Sequence, residues 1–140
     1  MAAISVIARR APRARRATGS CRPLARSYSD IDLVTTRKAS TILATTLEER
    51  GYVAQDRFNA LHGQRRMLFD HPEHDHADVF VDEFSMCHRL ELSGRLGLHE
   101  TTVSLGDLLL TKLQVAELNE KDVTDAAALF LDHDLGEGGE

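Results

Sequence analysis

Ser27-Tyr28-Ser29-Asp30-Ile31-Asp32-Leu33-Val34-Thr35 sets two carboxylates two positions apart inside an apolar, β-branched run. In a strand, side chains at i and i+2 share a face. Asp30 and Asp32 therefore stand side by side while Ile31 and Leu33 enter a core. Like charges that close repel, and a cation between them relieves the repulsion. Two readings follow from the spacing: a turn Asp followed by an edge-strand Asp, both solvated, or one wall of a cation site.

The elements that follow bear on that choice. Residues 37–50 carry Ala39, Ile42, Leu43, Thr46 and Leu47 at helical spacing, and Gly51 supplies the stop. Tyr52 and Val53 begin a short extended piece, and residues 59–63 read as a turn or loop. Residues 65–69 read as a strand with Met67 and Phe69 on one face. A polar connection, His71-Pro72-Glu73-His74-Asp75-His76, leads into the strongest strand, residues 77–84, in which Asp78, Phe80 and Asp82 alternate with Val79, Val81 and Glu83. Residues 87–92 continue as a strand, Gly94 and Gly97 bracket a turn, and residues 101–103 are extended. Ser104 with Asp107 three residues on forms a capping-box-like pair for a helix carrying Leu105, Leu108, Leu109, Leu113 and Val115 inward. A second helix, residues 122–131, has Val123, Ala126, Ala127, Phe130 and Leu131 as its apolar stripe. The fold class implied is α+β: a small mixed β-sheet with helices packed on one face and a C-terminal helical pair.

The chain has 140 residues, one domain's worth, and is 42% apolar without a tryptophan. No run approaches the length that spans a bilayer, so a soluble, cytoplasmic protein without a membrane partner is expected. Cys21 and Cys87 stand in unrelated contexts, which fits a reducing compartment. The net charge of −5 conceals an asymmetry. Residues 1–29 hold seven Arg and no acid, whereas all 22 acids lie in residues 30–140. The acidic body argues against a broad nucleic-acid footprint there. Residues 1–23 are expected to be a disordered basic segment: an organellar transit peptide, a basic arm for nucleic acid, or the product of a mis-set start or shifted frame. The domain is expected over residues 24–135, with residues 136–140 a disordered tail.

Asp78, flanked by Ala77, Val79 and Phe80, supplies a third carboxylate on a second strand. If the two strands are neighbours, three carboxylates converge, a set that holds Mg²⁺ and through it a triphosphate. The competing reading is an outward-facing Asp78 paired with Arg65 or Arg66. His71, His74, Asp75 and His76, with His62 and His88 elsewhere, have no structural zinc spacing and no accompanying cysteine pair, which favours a solvated hairpin loop. Cys87 and His88 are adjacent and face opposite ways on a strand, which argues against a Cys/His hydrolase.

Ser29-Asp30-Ile31-Asp32-Leu33-Val34, a helix, a hairpin and then Asp78-Val79-Phe80-Val81 resemble the core of the nucleotidyltransferase superfamily with the polymerase-β-like fold. Within it the chain is similar to the AbiEii-like group, nucleotidyltransferase toxins of type IV toxin–antitoxin systems and their relatives. Lys121-Asp122-Val123-Thr124-Asp125 matches the group's C-terminal helix motif, and residues 108–114 resemble the helix before it. The resemblance implies that Asp30, Asp32 and Asp78 are catalytic and bind Mg²⁺ (or Mn²⁺). It implies nucleotide contacts from Ser29, Lys112, Lys121, Asp122 and Asp125. Asp122 and Asp125 also suit a plain helix N-terminus, as cap and dipole partner. Gly19-Ser20, separated from Asp30 by nine residues, stands where the group has its phosphate loop. Its Ala/Arg-rich lead-in, residues 11–18, departs from the group's apolar helix and strand, and the expectation is an N-terminally truncated or mis-started chain. The implied function is Mg²⁺-dependent transfer of a nucleotide from an NTP to an RNA or protein acceptor with release of pyrophosphate, with an antitoxin as a further partner. The alternatives are a non-catalytic remnant of the fold acting as a binding module, and an inert fragment.

Overall fold

In a computed structural model, residues 4–8, 30–98, 101–114 and 120–132 of the chain are described. The central sheet has five strands in the order β1 (Ile4–Ala8), β2 (Asp30–Thr35), β5 (His76–Val81), β4 (Arg66–Asp70) and β3 (Val53–Ala54). β2 and β5 run parallel in its middle, and the other pairs are antiparallel. The sheet is therefore mixed, and with its helices the architecture is α+β. The parallel pair needs a long crossover, and α1 (Arg37–Glu49) occupies the start of it.

Strand alternation decides what each face of the sheet carries. Ile31, Leu33, Phe69, Ala77 and Val79 form one buried cluster with Leu43 and Leu47 of α1. The other face has two halves. Towards the C-terminal ends of β2 and β5, Val34 and Phe80 join Phe84, Leu92 and Val103 in a second cluster. Leu108 of α3 (Leu105–Leu113) and Leu90 of a two-stranded sheet, β6 (Glu83–Ser85) with β7 (Arg89–Glu91), pack against it. Towards the N-terminal ends, the same face carries Asp30, Asp32 and Asp78.

α1 ends as its sequence implies. Gly51 has φ +87°, its N–H donates to the Glu48 carbonyl, and the Tyr52 N–H donates to that of Leu47. This pair of bonds satisfies orphan carbonyls at a helix end. At the other end Thr36 makes no side-chain cap. The Arg37 N–H instead donates to Asp82 Oδ1 at 3.0 Å.

Several local expectations are corrected. Residues 4–8, placed in the disordered basic segment by composition, form β1 on the edge of the sheet beside β2. Of residues 59–63, read as a turn or loop, 59–62 belong to α2 (Asp56–His62), a short helix with no buried residue and so no apolar period to announce it, and Gly63 is its C-cap. The single strand over residues 77–84 is two strands. Asp82 takes φ +64° and breaks the run, while its N–H donates to the Thr35 carbonyl and its own carbonyl accepts from Leu92 and Ser93. In α3 the buried residues are Asp107 and Thr111, whereas Leu105 and Leu113 are exposed. Asp107 is buried because Arg95 and Ser104 both bond its carboxylate, and the Ser104 hydroxyl caps the Asp107 N–H as expected. In α4 (Glu120–Asp132) Ala126 is buried, but Val123, Phe130 and Leu131 are exposed among the described residues. Val115 lies outside the described residues.

Candidate functional site

The parallel register pairs Asp30 with His76 and Asp32 with Asp78. Directly opposed residues of neighbouring strands project to the same side, and so do positions two apart. Asp30, Asp32 and Asp78 therefore share the face whose other half is filled by Val34 and Phe80. The antiparallel β4 brings Leu68 opposite Asp78 and Arg66 opposite Phe80, on the same side again.

The three carboxylates are in unlike states. Asp30 is exposed, Asp32 half-buried and Asp78 only 7% exposed. Asp78 is held by Arg66: Nε donates to Oδ1 at 2.8 Å and to Oδ2 at 3.1 Å, and Nη2 also bonds Oδ2. The guanidinium lies 5.3 Å from the centre of the Phe80 ring and 6.0 Å from that of Phe58 on α2. Its protonated form is held above the ordinary arginine value, first by the bond to Asp78, with the charges of Asp78 and Asp32 adding, against the opposing effect of burial. Asp32 makes no hydrogen bond or ion pair with a described residue. Its carboxyl is pushed up from 3.8 to about 6, first by burial and then by the charges of Asp78 and Asp30, with Lys112 and Arg66 pulling it back. That is a surplus of negative charge.

Lys112, on the last turn of α3, is the bridge from the carboxylates to the helical pair. Its ammonium acts on Asp32 and lies 3.3 Å from Asp125 Oδ2 of α4. Both side chains are mostly buried, at 18% and 11% exposed. Asp122 and Lys121 lie in the first turn of α4; Asp122 is half-buried, and the Lys121 side chain is outside what is described. Gly19, Ser20 and Ser29 also lie outside the described residues. The residue that sequence reasoning did not place in the site is Arg66, which it weighed only as a surface partner of Asp78. Its one signal is that it sits an even number of positions from Leu68, so the register that sets Leu68 opposite Asp78 also brings Arg66 to this face.

Hard oxygen donors with excess negative charge fit a cation such as Mg²⁺ or Mn²⁺. Asp30 and Asp32 supply such donors. The fit at Asp78 is contested by Arg66, and among the described residues no three acidic, imidazole or thiol groups already converge on one point. The histidines are engaged differently. The His71 and His74 rings stack at 4.3 Å, His71 meets Tyr52 edge-on, and His76 Nδ1 is 2.7 Å from Asp70 Oδ1. Cys87 is exposed and free.

No family model and no curated protein matches the chain. Among solved structures it is similar to the lincosamide antibiotic adenylyltransferase LnuA, lincomycin-bound, with a TM-score of 0.52 and 17% identity. The match covers 75% of this chain and 74% of that one. At this identity the likeness is one of fold: the chain has a nucleotidyltransferase-like architecture. No described helix is long and apolar enough to cross a membrane.

Proposed function

We propose that the chain transfers a nucleotide from an NTP to an acceptor hydroxyl in a Mg²⁺-dependent reaction. The observation that carries the reading is the opposition of Asp32 to Asp78 on adjacent parallel strands, with Asp30 on the same face. A divalent cation held there would neutralise phosphate charge and lower the barrier to in-line attack. Asp30 and Asp32 would hold the cation and orient the triphosphate through it. Asp78 would accept the proton of the attacking hydroxyl. Lys112 is placed to balance the negative charge of the carboxylates. Roles for Gly19, Ser20, Ser29, Lys121, Asp122 and Asp125 in holding nucleotide rest on the sequence motif.

The narrower reading, an AbiEii-like toxin in the cytoplasm with RNA or protein as acceptor and an antitoxin partner, rests on Ser29–Val34, Asp78–Val81 and Lys121–Asp125. The likeness to LnuA, an antibiotic adenylyltransferase, adds a small molecule as an acceptor class. One observation favours a second reading, a non-catalytic binding module: Arg66 bonds both oxygens of Asp78.

The test is incubation with each labelled NTP, Mg²⁺ or Mn²⁺, and total RNA, protein or small hydroxylated acceptors. Label transfer is expected, and Asp30→Ala with Asp32→Ala should reduce it at least about 100-fold. Transfer that survives the double substitution refutes the assignment of those residues. No transfer by the wild type with any NTP favours the binding module.

A further inference from the structure

Arg66 lies where the proposed cation needs a ligand. A guanidinium that forks across both oxygens of a carboxylate uses the lone pairs a metal ion would take. At 7% exposure, Asp78 has little room to offer a second approach. The guanidinium itself is less enclosed, with its side chain 41% exposed. It rests above the rings of Phe80 and Phe58 rather than being walled in. Asp78 is thus fixed by the sheet, whereas its partner has space to leave.

We propose that Arg66 is a built-in counter-cation that competes with the divalent metal for Asp78 and must release that carboxylate before a metal held by Asp30 and Asp32 can recruit it. The proposal rests on the cation-site reading above. In the metal-free protein Arg66 lowers the repulsion between Asp78 and its neighbour Asp32. When metal enters, the guanidinium leaves Asp78 and its donors become available to an anionic ligand over the same face. An entering divalent ion is accordingly met first by Asp30 and Asp32, and Asp78 joins only at the expense of the ion pair.

Mn²⁺ binding to the full chain without nucleotide, followed by electron paramagnetic resonance of the free ion, reads this out independently of activity. Arg66→Gln is expected to tighten Mn²⁺ at least about fivefold, in line with the loss of a charge-assisted bond to the competing group. Asp78→Asn in the wild-type background should change the affinity less than about twofold, because what the metal gains from that carboxylate is offset by the ion pair it breaks. The gain from Arg66→Gln should vanish in Arg66→Gln/Asp78→Asn. A gain that persists in the double variant means a plain field effect and overturns the proposal, as does no gain. If Arg66→Gln does not fold, nuclear magnetic resonance of the wild-type Arg66 Nε–H serves. The signal should move as Mg²⁺ is added, and a signal unmoved at saturating Mg²⁺ overturns the proposal. Binding that is indifferent to Asp30→Asn/Asp32→Asn refutes the cation site itself, a separate failure.

Discussion

The two faces of the central sheet are made from alternate residues of the same strands, yet they obey different rules. One face, bearing Leu33, Val79, Ala77 and Phe69, is sealed by Leu43 and Leu47 of α1 in a buried cluster of apolar residues. The other begins in the same way, with Val34 and Phe80 under β6, β7 and Leu108, and then opens onto three carboxylates and one arginine within two residues of strand. The first face is built for burial alone. The second spends part of its area on groups that oppose folding, because desolvated like charges cost free energy. A region that weakens the fold is retained where its chemistry is of use.

The sharpest way to break the contrast is to put the second face's chemistry on the first. Val79 is fully buried among apolar neighbours. Val79→Asp should cost about 4 kcal/mol or more and leave the chain unfolded, since no cation is at hand. Urea unfolding followed by circular dichroism checks this, and a folded Val79→Asp protein would mean the faces are less distinct than they look.

The converse change should stabilise. Asp32 holds its proton more tightly in the folded than in the unfolded state. Its favourable contribution is therefore complete below the ordinary 3.8 and is lost as the pH rises through about 6. Asp32→Asn should match the wild type at pH 3.5 and exceed it at pH 8 by about 1–3 kcal/mol, a range that allows for partial exposure. Melting curves across that pH range decide it. Added Mg²⁺ at pH 8 should raise the melting temperature of the wild type and not of Asp32→Asn.

A smaller effect is expected at Asp82, the residue on which the strands of the two faces end. Asp82→Ala removes the acceptor for the first N–H of α1 and leaves alanine at φ +64°. The expected loss is about 1–2 kcal/mol, with Asp82→Asn recovering most of it. The smallest is Ser104→Ala, at about 1 kcal/mol. It loosens the start of the helix that carries Lys112, a counter-charge to Asp32, and so should change Mn²⁺ affinity less than it changes stability.

How much of this the sequence discloses follows the same division. Alternation in residues 30–35 and 77–81 is enough to sort Ile31, Leu33, Val79 and Val81 from Asp30, Asp32 and Asp78, because period two is a local property of a strand. The α+β class and α1 are legible for the same reason. Register is not local. The chain offers Arg65 and Arg66 alike as partners of Asp78, and which of them faces it depends on where the hairpin between β4 and β5 turns. The break at Asp82 is hidden inside a β-branched run, and only the tertiary bonds to Thr35, Arg37, Leu92 and Ser93 show why a left-handed aspartate is tolerated there. The leucines of α3 mislead because helical period reports an apolar stripe, not what covers it.

The parallel pairing of β2 with β5 also has a consequence in time. Asp32 and Asp78 are forty-six residues apart in the chain and meet only when that pairing closes. The hairpin of β4 and β5 and the helix α1 consist of near neighbours and can form early, but a long-range parallel ladder must first meet the entropy of a large loop. The carboxylates are therefore assembled late, when most of the apolar surface is already buried. A chain stalled before that step keeps Asp78 apart from Asp32, so the approach of these two carboxylates during refolding is a clock for the last stage of the fold.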